Sequence, residues 1–91
     1  MGEKYKAELQ GKIREFGAAN LRVYLNADGL HPHYYEHLKD TFQETGVKFV
    51  STRDDANFVF EGNCQQEPAY QAGQVVAFFN QDQMLSFAGA L

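Results

Sequence analysis

The sequence predicts an α/β domain: a small, four-stranded, mainly parallel sheet flanked by helices, with an extra helix at the amino terminus. Three observations lead there. Apolar residues recur at helical spacing in two segments, 3–16 and 31–45. Four β-rich runs occupy 20–26, 47–51, 57–61 and 74–80. Strands that alternate with helical segments favour a layered fold with parallel pairing. At 91 residues the chain fits a single domain, and a chain of that size buries roughly 60–65% of the surface it exposes when unfolded.

Residues 3–16 form an amphipathic helix, because Tyr5, Leu9, Ile13 and Phe16 fall on one helical stripe. Gly11 weakens it by about 1 kcal/mol relative to alanine, and Gly17 is a stop signal. In 20–26 (NLRVYLN) Leu21, Val23 and Leu25 alternate with Arg22 and Tyr24, which is strand periodicity. Ala27-Asp28-Gly29 is turn chemistry. The second helix, 31–45, starts at Pro32, whose missing N–H is harmless at a first helical position. Tyr34, Leu38 and Phe42 give its buried stripe, and Gly46 ends it.

Two β-rich runs, 47–51 and 57–61, flank the link Thr52-Arg53-Asp54-Asp55-Ala56. By itself a link of this length suggests a hairpin. Residues 63–73 are polar and loop-like, with room for one helical turn after Pro68. The near-continuous apolar run 74–80 (QVVAFFN) reads as a buried strand. Asn80 or Asp82 then caps a last helix whose inner side is Met84, Leu85, Phe87 and Ala88.

Composition narrows the function classes. Apolar residues are 44% and charged residues 22%, values of a folded globular domain rather than a disordered one. One cysteine, Cys64, permits no intrachain disulfide, and the amino-terminal MGEKYKAELQGK carries no apolar leader. No run approaches the ~20 apolar residues of a membrane span. Lys6 breaks the myristoylation pattern that begins at Met1-Gly2. These features point to a cytoplasmic protein that does not engage a membrane.

The net charge is −4, unevenly placed. In residues 1–17, Lys4, Lys6, Lys12 and Arg14 stand against Glu3, Glu8 and Glu15. After Arg53 there is no Lys or Arg at all. Phosphate binding needs clustered positive charge, so any nucleic-acid contact belongs to the amino-terminal half. Mixed signs along a helix more often make a solvated face with local pairs.

Each candidate chemical group has a plainer reading beside it. His33 and His37 are one helical turn apart, a spacing that suits a metal, with His31 or Asp28 as a third ligand. The Glu that a metalloprotease helix carries after its first His is missing, and histidines near a helix start are ordinarily surface groups. Cys64 has Glu61 and Glu67 near it in sequence and no cation to stabilise a thiolate, so it reads as inert. Asp54-Asp55 reads as a solvated turn. Asn26-Ala27-Asp28-Gly29 lies where open α/β sheets bind ligands, beyond a strand's carboxyl end and before a helix amino terminus. Asp28 disfavours an anion there. The stripe Tyr5-Leu9-Ile13-Phe16 is core if it packs on its own sheet, and a homodimer surface if it does not.

From Leu21 to Phe87 the pattern resembles the BRCT domain, particularly the type at the carboxyl terminus of bacterial NAD-dependent DNA ligases. The strand LRVYLN runs through a turn into an amphipathic helix ending in ETG, and that glycine leads into a lysine-bearing strand, GVKFVS. DDANFVFEGN is similar to the family's polar turn and short apolar strand closed by glycine. QVVAFFNQDQML is similar to its final strand and capped last helix. The resemblance implies a four-stranded parallel sheet in which the link 52–56 runs back along the sheet. It implies two units of sequence, the added helix at 1–19 and the BRCT-like domain at 20–91. Family members that bind phosphopeptides place Ser or Thr after the first strand and Lys on the helix after the third. Here Asn26 and Gln65-Gln66-Glu67 stand at those places.

The resemblance also implies a non-catalytic module for protein–protein or protein–DNA assembly in DNA replication or repair. The partner expected is another protein, with DNA as a second candidate and no cofactor. The binding candidates are Asn26, Ala27, Asp28 and Gly29 at the first turn, with Lys4, Lys12, Arg14 and Lys48 as the basic contacts. Two alternatives stand beside it. One is a small nucleoside-binding enzyme resembling nucleoside deoxyribosyltransferases, with Glu67 before Pro68-Ala69-Tyr70 as nucleophile. The other is a small interaction or inhibitor protein, suggested by size and acidity.

Overall fold

The computed structural model describes residues 2–26, 28–80, 82 and 84–89, with side chains from Tyr5 onward. Helix α1 spans Gly2–Phe16 and α2 spans Pro32–Glu44. The strands are β1 (Arg22–Asn26), β2 (Lys48–Phe49), β3 (Phe58–Glu61), β4 (Val75–Phe79) and β5 (Leu85–Gly89). They form one sheet in the order β2-β1-β3-β4-β5. Pairing is parallel from β2 through β4 and antiparallel between β4 and β5. The α/β class and the largely parallel sheet therefore agree with the sequence.

Both helices pack on one face. Tyr5, Leu9 and Ile13 of α1 and Leu38 and Phe42 of α2 are buried against Val23, Phe58, Phe60, Val75, Ala77 and Phe79. Phe42 meets Phe49, Phe58 and Phe60 edge-on, with ring centroids 5.8–6.2 Å apart, the arrangement that aromatic quadrupoles favour. Helix α2 begins where Pro32 occupies the first turn and His31 Nδ1 accepts from the His33 N–H. It ends before Gly46, whose φ of +77° costs a glycine little.

The other face has no helix. It is covered by the segments that enter and leave β3: Ala56, Val59, Val76 and Phe78 are buried there, with Val50, Cys64 and Ala88 packed against them. Gln74 fastens the cover. Its buried amide donates to the carbonyls of Arg53 and Ala56 and accepts from the Gln71 N–H.

Three expectations are corrected. The last segment is not a helix but strand β5. Leu85 and Phe87 face the helical side and Ala88 the other, a period of two. Asn80 Oδ1 accepts from the N–H groups of Asp82 and Met84 and the Asn80 N–H donates to the Met84 carbonyl, closing a hairpin. A short helix leaves the polar edge of β4 unpaired, whereas a strand satisfies it. The sheet thus has five strands, not four.

Second, β2 is only two residues long, with Val50 adding one more hydrogen bond to Val23. Phe49 and Phe58 both sit beside Val23 in register. The link 52–56 therefore has no distance to recover along the sheet. It crosses β1 laterally, two strand spacings or about 10 Å, through a 3₁₀ turn at Arg53–Asp55. Asn57 secures the crossing: its N–H donates to the Arg22 carbonyl, its Oδ1 accepts from the Arg22 N–H, and its Nδ2 donates to the Asn20 carbonyl. Third, no helical turn follows Pro68; residues 67–71 are irregular.

Candidate functional site

Chain order and sheet order diverge at β1. The chain leaves β1 through α2 to β2 on one side, then crosses to β3 on the other. The carboxyl ends of β1 and β3 therefore form a topological switch point, the place where open α/β sheets hold ligands. A groove of about 560 Å³ opens on the β1 side of it, lined by Tyr24, Leu25, Asn26, Asp28, Gly29, Leu30, Pro32 and Tyr35, all from β1, the turn after it and the start of α2.

Asn26 organises its floor. Its Oδ1 accepts from the Asp28 N–H at 3.1 Å, which shapes the turn into α2. Its Nδ2 donates to Glu61 at 3.0 Å, and its carbonyl accepts from the Gly62 N–H at 2.7 Å. Glu61, largely buried, forms an ion pair through its other oxygen with Arg53, whose Nε lies 3.3 Å away, and the Arg53 guanidinium donates to the Ala69 carbonyl. Gly29 has a φ of +84°, and a Cβ there would lie 2.9 Å from the Asn63 amide nitrogen. The loops after β1 and β3 thus touch through a glycine that leaves room for no side chain.

The rings of Tyr24 and Tyr35 and the side chains of Leu25, Leu30 and Pro32 border the groove, but most of its exposed lining is polar, and among the described residues Asp28 is its one carboxylate. Among the described residues no Lys or Arg lines it; Lys39 stands over the Tyr35 ring with Nζ 5.9 Å from its centre. This lining suits an extended segment that brings a positive group, polar groups for hydrogen bonding and one side chain to lie against the tyrosine rings, and it opposes a phosphate.

Of the sequence candidates, Asn26, Asp28 and Gly29 meet in this groove. Ala27 and the Lys4 side chain lie outside the described residues. The remaining basic candidates do not converge. Lys12 pairs with Glu15 at 3.8 Å and sits over the rings of Phe16 and Phe87, on the β5 side of the molecule. Lys48 is exposed on β2 at the other edge, four strand spacings or about 19 Å across the sheet. Arg14 lies with Gln10, Ala18, Glu44 and Thr45 between the ends of α1 and α2.

The histidines separate as well. His31 and His33 stack at 5.0 Å, whereas His37 turns inward against Tyr5 at 5.8 Å. Among the described residues no three His, Cys, Asp or Glu side chains converge as a metal set. Burial and the neighbouring Glu61 raise the Cys64 thiol above its ordinary pKa, against a smaller opposing pull from Arg53. Such a thiol is a poor nucleophile. Glu67 is exposed in an irregular segment, not on a helix. The stripe Tyr5-Leu9-Ile13 is core, so it offers no dimer surface.

Sequence reasoning missed Glu61, Arg53, Asn63 and Tyr35. Glu61 closes β3 and Arg53 lies in the 3₁₀ turn of the link before that strand, and the lateral crossing of 52–56 brings Arg53 onto Glu61.

Among the described residues no helix is long and apolar enough to cross a membrane. Compared with family models, with curated proteins and with solved structures, the chain finds no match.

Proposed function

We propose that this chain is a non-catalytic binding module, BRCT-like in its first four strands, that docks a segment of a partner protein at the carboxyl end of β1, between that strand and the start of α2. The observation that carries the reading is the groove itself. It lies on the β1 side of a topological switch point, and its largely polar lining is bordered by the Tyr24 and Tyr35 rings, with Asp28 as the one charged group among the described residues that line it. The β2-β1-β3-β4 parallel order supports the BRCT resemblance over Leu21–Phe79. Strand β5 in place of a last helix, and an irregular segment 62–74 in place of the helix after the third strand, depart from it. A role in cytoplasmic assemblies of DNA replication or repair rests on that resemblance. A protein partner is favoured over DNA because Lys12 and Lys48 stand at opposite edges of the sheet.

The test is to pan a displayed random-peptide library on the protein. Enriched peptides should pair a Lys or Arg with an apolar residue and should lose binding to Asp28→Lys and Tyr35→Ala. Enrichment that ignores both substitutions, or none at all, overturns the reading. A mobility shift with duplex DNA at low salt that survives both substitutions replaces it with the nucleic-acid alternative.

A further inference from the structure

Strand β1 has an edge that β2 does not finish. The carbonyls of Leu21 and Val23 accept from the N–H groups of Lys48 and Val50, while those of Arg22 and Asn26 accept from Asn57 and Gly62 on the β3 side. Alternation therefore turns the Leu25 peptide groups toward the β2 side. There β2 has already ended. Its register with β1 stops at Val23 opposite Phe49, and the chain leaves after Val50 for the 3₁₀ turn at Arg53–Asp55. Among the described residues no backbone hydrogen bond reaches the Leu25 N–H or carbonyl from that side. The groove opens at this same place, with Leu25 in its lining.

Resting on the docking reading of this groove, we propose that the partner segment binds as an added strand beside β1, in the line that β2 leaves open. Its backbone exchanges two hydrogen bonds with Leu25, one at the N–H and one at the carbonyl. Its side chains alternate between the two faces of the sheet. The one beside Leu25 lies on the helical face, with Leu30, Pro32 and Tyr35, and its neighbours lie on the face of Tyr24. The occupant is a basic segment of another protein, and charge selects it. Asp28 stands just past the carboxyl end of β1 and is the one charged group among the described residues that line the groove. Lys39 already stands over the Tyr35 ring, so the cation that the segment brings pairs with Asp28. The chain's own net charge of −4 sets a second copy against this edge.

Amide hydrogen exchange read by nuclear magnetic resonance tests this on the full chain. In the free protein the Leu25 N–H should exchange about tenfold or more faster than those of Tyr24 and Asn26, which pair with β3. The probe is the tightest peptide from the Asp28-dependent panning, made also with each backbone N–H in turn replaced by N-methyl. When bound, it should slow Leu25 exchange about tenfold or more and leave Tyr24 and Asn26 unchanged. One N-methyl group should weaken binding about tenfold or more, and those on the residues before and after it less than about threefold, because their N–H groups face away from β1. A Leu25 N–H that exchanges slowly in the free monomer, a bound peptide that leaves it unprotected, or a methyl series without that contrast overturns the proposal and leaves docking to side chains alone. Leu25 protection that rises with the concentration of the free protein assigns the edge to a second copy and overturns it too. A panning that enriches nothing removes the docking reading itself, so the two failures are distinct.

Discussion

At the scale of single residues, Phe42 is the centre of the core. It is fully buried and meets three other rings. Phe42→Ala should destabilise by about 3–5 kcal/mol, read by urea denaturation, because it removes that contact and leaves a cavity. Tyr5 is the opposite kind of residue. Its ring is buried against Phe79 and His37, but its hydroxyl has no hydrogen-bond partner among the described residues. Burial, with Tyr34 adding to it, raises its pKa above the ordinary 10.0. A tyrosine raised on folding contributes stability that is complete below the unfolded pKa and is lost as pH climbs through the folded one. Alkaline unfolding of the wild type should therefore begin above about pH 10, and Tyr5→Phe should move it upward without lowering stability at neutral pH. Cys64 should alkylate more slowly at neutral pH than an unhindered thiol, since burial and Glu61 keep it protonated.

The stripes of α1 and α2 were legible in the sequence because a 3.6-residue period over three or four turns has few alternatives. The last segment was not legible. Met84, Leu85, Phe87 and Ala88 fit a helix face, and Leu85, Phe87 and Gly89 fit a strand. In so short a run the open edge of β4, a tertiary feature, decides between them. Helix starts are predictable at this scale too. His31 caps α2 through Nδ1, and aspartate is a better residue for that position. His31→Asp should raise the thermal midpoint, equivalent to about 0.5–1 kcal/mol, from the stronger cap and the favourable charge at a helix amino terminus. An unchanged or lower midpoint would mean that the His31–His33 stack contributes more than the cap.

For the molecule as a whole, α1 and the sheet share one core. Leu9 and Ile13 are fully buried beside Val75, Ala77 and Phe79. Deleting residues 1–19 should therefore abolish cooperative unfolding and leave a species that aggregates, as checked by circular dichroism and denaturant titration. The candidate site was half legible. Asn26, Asp28 and Gly29 announce a turn beyond a strand, and a parallel sheet makes such a turn a ligand site. The Arg53–Glu61–Asn26 chain beneath it depends on which way 52–56 crosses, and nothing local in that stretch encodes the direction.

The change of strand direction between β4 and β5 also divides the molecule in time. The hairpin 75–89 closes through a short turn, so its partners meet early and at small entropic cost. The parallel pairs β1–β2 and β1–β3 must wait for α2 and a crossing segment to be placed. Substitutions in β4 and β5 should accordingly alter the folding rate, while those in β2 should alter mainly the unfolding rate, a contrast that paired chevron plots of Val76→Ala and Phe49→Leu can measure.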